Sequence, residues 1–212
     1  MTTPLVIIGC GGFGREVHDV VDAINAVKPT WSLLGYLDDQ PDPVNVSLVE
    51  SHSSRVLGST DWMMTAGKEV QFVIGIGTGK IRRIIDERLS SAGFSAATLV
   101  HPTATLGHDV RIGQGSVICA GVRATTNISL GRHVHLNLNT TVGHDSTLED
   151  YVTINPLVAI SGWVHVGKES MMGTHSAVLQ NLSIGAGSTV GAGSCVVKDV
   201  PENIIVKGVP AR

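Results

Sequence analysis

The feature that most constrains this chain is an apolar residue at every sixth position of its second half. The series runs unbroken between positions 100 and 196, and every member is Val, Leu, Ile or Met except Ala124. A glycine often follows directly, as at Gly107 and Gly143. A six-residue period fits neither a helix nor a plain alternating strand. It predicts short strands joined by tight turns, with three hexapeptides per triangular coil, so that residues 18 apart stack on one face.

Bulk composition limits the partners and the cellular setting. The net charge is −3 and no run of Lys or Arg occurs, which argues against a nucleic acid or an anionic membrane as partner. The apolar runs are too short to span a bilayer, and the N-terminus has no signal pattern. Cys10, Cys119 and Cys195 lie far apart, which argues against a disulfide framework and a zinc site. We therefore expect a cytoplasmic protein without a metal.

The first half alternates strand-like and helix-like segments, which predicts a small parallel sheet with helices. We expect this α/β domain at residues 1–99 and the solenoid, an all-β domain, at residues 100–212. The segment 40–60 is rich in Ser, Pro and Asp and is expected to be an irregular loop. The expected strands are 5–8, 31–37, 71–76 and 95–100, and the expected helices are 15–27 and 81–92.

A glycine-rich turn lies between the first strand and the first helix, where backbone N–H groups suit a phosphate or carboxylate. Other polar residues follow the next two strands, at the sheet edge where open α/β sheets bind ligands. These segments predict a pocket for a nucleotide or an anionic sugar. Alternatively, the glycines only permit a tight turn, the acids cap a strand and the arginine is a solvated charge. The predicted binding residues are Gly11, Gly12, Phe13, Gly14, Asp38, Asp39 and Arg82.

The hexapeptide period resembles that of acyltransferases that use acetyl-CoA. The whole chain is similar to the NeuD/PglD family of bacterial sugar acetyltransferases in six segments: LVIIGCGGFGREV, YLDD, GIGTGKIRR, VHPTATLG, NLNTTVGHD and VKGVPAR. The resemblance implies a Rossmann-like N-terminal domain that holds the sugar or its nucleotide, followed by a left-handed parallel β-helix that holds acetyl-CoA. It also implies a homotrimer with the co-substrate in the groove between neighbouring subunits.

His144 is the candidate general base. It follows the inward-facing Val142 by two residues, so we expect its side chain to point outward from a turn. An imidazole titrates near neutral pH, and Asp145 can hold one of its ring nitrogens. Gly162 lies one coil further on, where an unobstructed N–H suits an oxyanion donor. The resemblance implies these roles, whereas without it a solvated turn histidine and a turn glycine would suffice.

The resemblance also implies contacts to pantetheine and adenine from residues expected to stack beyond Gly162. Asn137 and Asn155 are candidates for binding the acceptor, with an asparagine ladder as the alternative. His133 and His135 share a turn and are expected at the surface. The predicted cofactor contacts are Thr174, Gly191, Ala192 and Gly193.

These observations predict a transferase in which the acceptor attacks the thioester of acetyl-CoA directly. No Cys lies near His144 in sequence, so a covalent acyl-enzyme is not expected. The acceptor is an amine or hydroxyl of a sugar or nucleotide-sugar. Because GGFGRE is closer to the NeuD branch, O-acetylation of sialic acid is one alternative. A non-catalytic trimeric scaffold is another, and the glycine turn by itself would also suit a nucleotide-sensing or NAD-binding regulator.

Overall fold

The computed structural model describes every residue from Met1 to Arg212, and the chain divides into two compact units. The first unit comprises Met1–Gly77 and Ile81–Pro102, and the second comprises Thr78–Lys80 and Thr103–Arg212. The predicted boundary after residue 99 lies close to the division after Pro102. None of the helices has the length and apolar character needed to cross a bilayer.

The N-terminal unit contains a four-stranded parallel sheet in the order β3-β2-β1-β4. Its core joins apolar side chains of the sheet and of the last helix, including Ile8, Phe72 and Leu89, each buried to 1% exposure or less. Burying one such side chain contributes about 1.5–3 kcal/mol. The strands are β1 (Thr3–Ile8), β2 (Trp31–Leu37), β3 (Val56–Gly58), β4 (Gln71–Ile74) and β5 (Leu99–Val100). The helices are α1 (Gly12–Val27), α2 (Pro43–Ser51) and α3 (Gly79–Ser91), with a 3-10 helix at Thr60–Thr65.

Two predictions for this unit were wrong in detail. The segment 40–60 is not an irregular loop, because it contains α2 and β3. The Asp42 side chain caps α2 by accepting the Val44 N–H at 2.8 Å, and a proline occupies the first turn, as is favourable there. The predicted strand 95–100 is reduced to a bridge between Phe72 and Ala96, followed by β5.

The second unit is a parallel β-helix, as the six-residue period predicts. Its strands stack in three sheets, and paired residues lie 18 positions apart, as in Thr141↔Ala159↔Ala177. Sheet I contains β8 (Val117–Ile118), β11 (His135–Leu136), β14 (Thr153–Ile154), β17 (Met171–Met172), β20 (Thr189–Val190) and β22 (Ile205–Val206). Sheet II contains β6 (Thr105–Leu106), β9 (Arg123–Ala124), β12 (Thr141–Val142), β15 (Ala159–Ile160), β18 (Ala177–Val178) and β21 (Cys195–Val196). Sheet III contains β7 (Val110–Ile112), β10 (Ile128–Leu130), β13 (Thr147–Leu148), β16 (His165–Val166) and β19 (Ser183–Ile184).

The apolar residues of the six-residue series form the interior of the β-helix. From Ile118 to Val196 each is at most 3% exposed, whereas Leu106 in the first coil is 38% exposed. The turns place the third residue after the apolar position in the left-handed region, with φ of +54° at Asn127 and +59° at Trp163. Asn and Asp tolerate this conformation best, and they occupy many of these positions.

Candidate active site

His144 and Asp145 lie in the turn between β12 and β13, at the edge where sheet II meets sheet III. The His144 Nδ1 is 2.7 Å from Asp145 Oδ2. Because an ionised carboxylate can only accept a hydrogen bond, Nδ1 carries the proton of this bond and Nε2 presents its lone pair. The His144 side chain is 56% exposed, so Nε2 is accessible to a substrate. The pair therefore has the arrangement of an oriented general base.

Asp145 is held from a second side. Its Oδ1 accepts a hydrogen bond from Asn127 Nδ2 at 3.0 Å, and Asn127 lies one coil before it. This hydrogen bond and the one from His144 lower the pKa of Asp145 below its usual range. The carboxylate is therefore ionised at neutral pH, as its interaction with the imidazole requires. The sequence analysis missed Asn127, although its position 18 residues before Asp145 is the signal that would have found it.

Gly162 lies directly against the His144 ring. A Cβ at this position would be 2.6 Å from both Cε1 and Nε2 of His144, so only glycine leaves the imidazole where it is. The ladder between coils uses the neighbouring N–H groups: Ser161 donates to Val178 and Trp163 donates to His144. The Gly162 N–H is not part of this ladder. A backbone donor is thus placed beside the base, on the adjacent coil.

The predicted stacking of the cofactor residues on Gly162 is wrong. Stacking requires three hexapeptides, whereas Thr174 lies only two hexapeptides beyond Gly162. The structure therefore places these residues in turns that join sheet I to sheet II, at a different edge of the same chain. They do stack on one another, because the Gly193 N–H donates to the Thr174 carbonyl at 2.9 Å. The residues concerned are Thr174, Gly191, Ala192 and Gly193.

Asn137 and Asn155 lie at that same edge, where sheet I meets sheet II. The Asn137 Nδ2 donates to the Ile154 carbonyl at 2.9 Å, and the Asn155 Nδ2 donates to the Met172 carbonyl at 2.9 Å. Each amide thus bonds the next coil, which is the ladder arrangement. Binding of the acceptor by either side chain stays a prediction.

The prediction that His133 and His135 lie at the surface was wrong, since both are fully buried. The His133 ring stacks against the Tyr151 ring of the next coil, with 5.8 Å between centroids and 12° between planes. His135 pairs within sheet I with Val117 and Thr153, both of them buried. The six-residue period gives the inward positions but does not reveal which outward positions become covered.

The N-terminal unit contains a cavity of about 250 Å³ at the carboxyl ends of its strands. Asp38 accepts hydrogen bonds from the Cys10 and Gln40 N–H groups, each at 2.9 Å. Burial opposes ionisation of Asp38, but these backbone hydrogen bonds outweigh it and lower its pKa. Asp39 accepts from the Thr60 N–H at 2.7 Å. The cavity is lined by Ile8, Gly9, Asp38, Asp39, Gln40, Thr60, Ile76, Ile81 and Ile85.

The glycines of the turn before α1 have different physical reasons. A Cβ at Gly14 would overlap the Gly9 carbonyl, so close packing of helix and strand requires glycine there. At Gly11 and Gly12 a Cβ would meet nothing within 4 Å, and neither residue needs a positive φ. Neither backbone conformation nor packing within the chain therefore explains these two glycines. They leave the backbone open to approach by a ligand, next to the half-buried Phe13.

Two arginines fix the loops around the glycine turn. Arg82 is fully buried rather than solvated, and its Nη1 donates to the Ile76 and Gly77 carbonyls at 2.9 and 2.8 Å. Arg15, which the sequence analysis missed, donates to the Cys10 carbonyl and, at 2.7 Å, to Asn45 of α2. Contact of Arg82 with a substrate stays a prediction. No group of three or more His, Cys, Asp or Glu side chains is arranged to hold a metal ion.

Comparison with known proteins agrees with this architecture. Residues 4–89 match the PglD N-terminal domain family. The chain is 30% identical to GDP-perosamine N-acetyltransferase of Escherichia coli O157:H7, over 97% of this chain and 94% of that protein. The acetyltransferase domain of PglB from Neisseria gonorrhoeae, also solved in complex with acetyl coenzyme A, is 30% identical and superposes with a TM-score of 0.88, over 100% of this chain and 99% of that one.

PerB from Caulobacter crescentus, solved in complex with CoA and GDP-perosamine, is 28% identical with a TM-score of 0.84, over 99% of this chain and 96% of that one. The predicted fold class, with a Rossmann-like domain followed by a left-handed β-helix, is confirmed. The predicted enzyme class and co-substrate are also confirmed, so the scaffold alternative is not supported. The chain belongs to the NeuD/PglD family of sugar acetyltransferases, acyltransferases that use acetyl-CoA.

Proposed function

We propose that this protein acetylates the amine of a nucleotide-linked amino sugar, with His144 as the general base. The observation that carries the proposal is the His144–Asp145 pair, with a 2.7 Å hydrogen bond on Nδ1 and with Nε2 beside the Gly162 backbone. The relatives support the choice of acceptor, because those named above include a GDP-perosamine N-acetyltransferase and a complex with GDP-perosamine.

The proposed reaction needs only groups of this chain and the two substrates. The acceptor nitrogen attacks the thioester carbonyl of acetyl-CoA and gives its proton to His144 Nε2. Negative charge then develops on the carbonyl oxygen, where the Gly162 N–H donates a hydrogen bond. Collapse of the tetrahedral intermediate breaks the C–S bond, and the leaving thiolate takes the proton from the imidazolium. General base catalysis contributes about 10²–10⁴-fold, and one oxyanion donor about 10²–10³-fold.

We propose a homotrimer because the predicted donor residues and the base lie at different edges of one chain. Thr174 and Gly193 lie where sheet I meets sheet II, whereas His144 lies where sheet II meets sheet III. An acetyl-CoA molecule in a groove between two copies can contact one edge of each, and a closed ring of three provides three such grooves. Sedimentation should give a trimer at micromolar concentration. A monomer under those conditions would contradict the shared site.

We propose that the N-terminal cavity binds the nucleotide of the acceptor. Its isoleucine walls suit a base, the carboxylates of Asp38 and Asp39 suit ribose or base donors, and the open backbone at Gly11 and Gly12 suits a diphosphate. Calorimetry with UDP, GDP and free sialic acid tests this binding. Gly12→Ala adds a methyl group into open space, so it should leave the melting temperature unchanged while weakening nucleotide binding. Equal nucleotide affinity in wild type and variant would contradict the proposal.

The reaction itself is tested by turnover with a panel of acceptors. Acetyl-CoA is supplied with UDP- and GDP-linked amino sugars, including GDP-perosamine, and separately with free sialic acid. Thiol release and the mass of the product are then measured. The expected result is acetylation of an amino group on a nucleotide-linked sugar. Acetylation of a sialic acid hydroxyl would favour the O-acetyltransferase alternative. If no sugar is acetylated, the proposal fails.

A further inference from the structure

A continuous chain of hydrogen bonds connects three side chains at the edge where sheet II meets sheet III. Asn127 Nδ2 donates to Asp145 Oδ1 at 3.0 Å, and Asp145 Oδ2 accepts from His144 Nδ1 at 2.7 Å. The Asn127 backbone is fixed as well, because its N–H donates to the His108 carbonyl at 2.9 Å. The two oxygens of Asp145 are therefore engaged by different partners, one on its own coil and one on the coil before.

We propose that Asn127 is a positioning residue for acetyl transfer, holding the Asp145 carboxylate so that Asp145 in turn orients the His144 imidazole. A carboxylate with one hydrogen bond can rotate about its last torsion angle, which is broad in energy. A second hydrogen bond on the other oxygen fixes the plane of the carboxylate. The inference rests on the proposed role of His144 as the base.

The chemistry of the amide fits this position better than a carboxylate would. Thr126 Oγ1 lies 3.5 Å from Asn127 Oδ1, so the oxygen faces Thr126 while the nitrogen faces Asp145. The previous coil carries His108, Asp109 and Arg111, and Arg111 pairs with Asp109 at 3.2 Å. The coils beyond Trp163 carry Lys198 and Asp199 in the same two rows. A carboxylate at position 127 would repel Asp145 and add negative charge near the imidazole.

The alternative is that Asn127 serves only the turn, because asparagine tolerates its φ of +54°. The chain contains a matched control for that role. Asn203 has a φ of +57°, and its N–H donates to the Ala186 carbonyl at 2.9 Å, so it occupies an equivalent turn at another edge. Glycine adopts a positive φ without strain, so Asn→Gly removes the amide at either site while the turn is kept.

The test compares kcat, KM and the pH profile of three variants on the acceptor identified by the panel. Asn127→Gly should lower kcat roughly 2- to 10-fold with an unchanged KM for acetyl-CoA, the range expected for one hydrogen bond to a charged group near solvent. Asn203→Gly should keep the wild-type kcat. Asn127→Asp should move the acid limb of kcat/KM upward by about 0.5 pH unit or more, because the added negative charge favours the imidazolium.

Two results would overturn the inference: a wild-type kcat in Asn127→Gly, or an unmoved acid limb in Asn127→Asp. A third comparison separates this inference from the proposed function. If His144→Ala abolishes turnover while both Asn127 variants behave as wild type, only the positioning role fails. If His144→Ala retains turnover, the proposed base fails as well. Adding Asn127→Gly to His144→Ala should cause no further loss, since the group it positions is gone.

Discussion

Replacing Gly162 with alanine should disable the enzyme without unfolding it. The added Cβ would lie 2.6 Å from the Cε1 and Nε2 atoms of His144, whereas an ordinary contact is 3.4–4 Å. The ring must therefore move by about 1 Å, and a displacement of that size in a catalytic group costs about 10²-fold in rate. Because the His144 side chain is 56% exposed, it can swing outward. A Gly→Ala change also reduces the entropy of the unfolded chain, so we expect stability to change by less than about 1 kcal/mol.

The assay measures kcat and thermal unfolding of Gly162→Ala beside the wild type. The expected result is a loss of about 10² in kcat with a melting temperature within a few degrees of wild type. The control is the same substitution in a His144→Ala background, where the displaced ring is absent and no further loss is expected. A kcat within twofold of wild type for the single variant would refute the placement of the base against Gly162.

Three further predictions concern single residues. Trp163→Asn should raise the free energy of unfolding by about 1 kcal/mol in chemical denaturation, because Trp163 holds a φ of +59° that asparagine adopts more readily. The lowered pKa of Asp145 keeps it ionised as pH falls, so the acid limb of kcat/KM reports His144, and Asp145→Asn should move that limb to lower pH by removing the charge that favours the imidazolium. Burial, followed by Asp38, raises the pKa of the Cys10 thiol to about 11, so mass spectrometry after iodoacetamide treatment at pH 8 should find Cys10 unmodified in the folded protein and alkylated in urea.

The β-helix was predictable because its interior repeats with one short period. The apolar positions from Ile118 onward are all buried, and the spacing of 18 residues correctly placed Gly162 beside His144. The same arithmetic, applied loosely, misplaced Thr174 on the wrong edge. Position within the hexapeptide must be combined with position within the coil, since only every third hexapeptide returns to the same edge.

Burial of outward-facing residues was not predictable from the period. His133 and His135 carry polar rings that favour a surface assignment, yet the stacking of His133 on Tyr151 depends on contacts between coils. In the N-terminal unit, α2 was missed because its apolar residues do not lie on one face, although Asp42 followed by a proline is a helix start signal. The glycine turn was located correctly from sequence, but only the open space around Gly11 and Gly12 separates glycines kept for a ligand from Gly14, kept for packing.

The most direct test of the account is the turnover of His144→Ala with its acetyl-CoA affinity measured in parallel. If His144 takes the proton of the acceptor, kcat should fall by about 10²–10⁴-fold while the Kd for acetyl-CoA from calorimetry stays near that of wild type. Near-normal turnover of the variant at neutral pH would contradict the assignment of His144 as the general base.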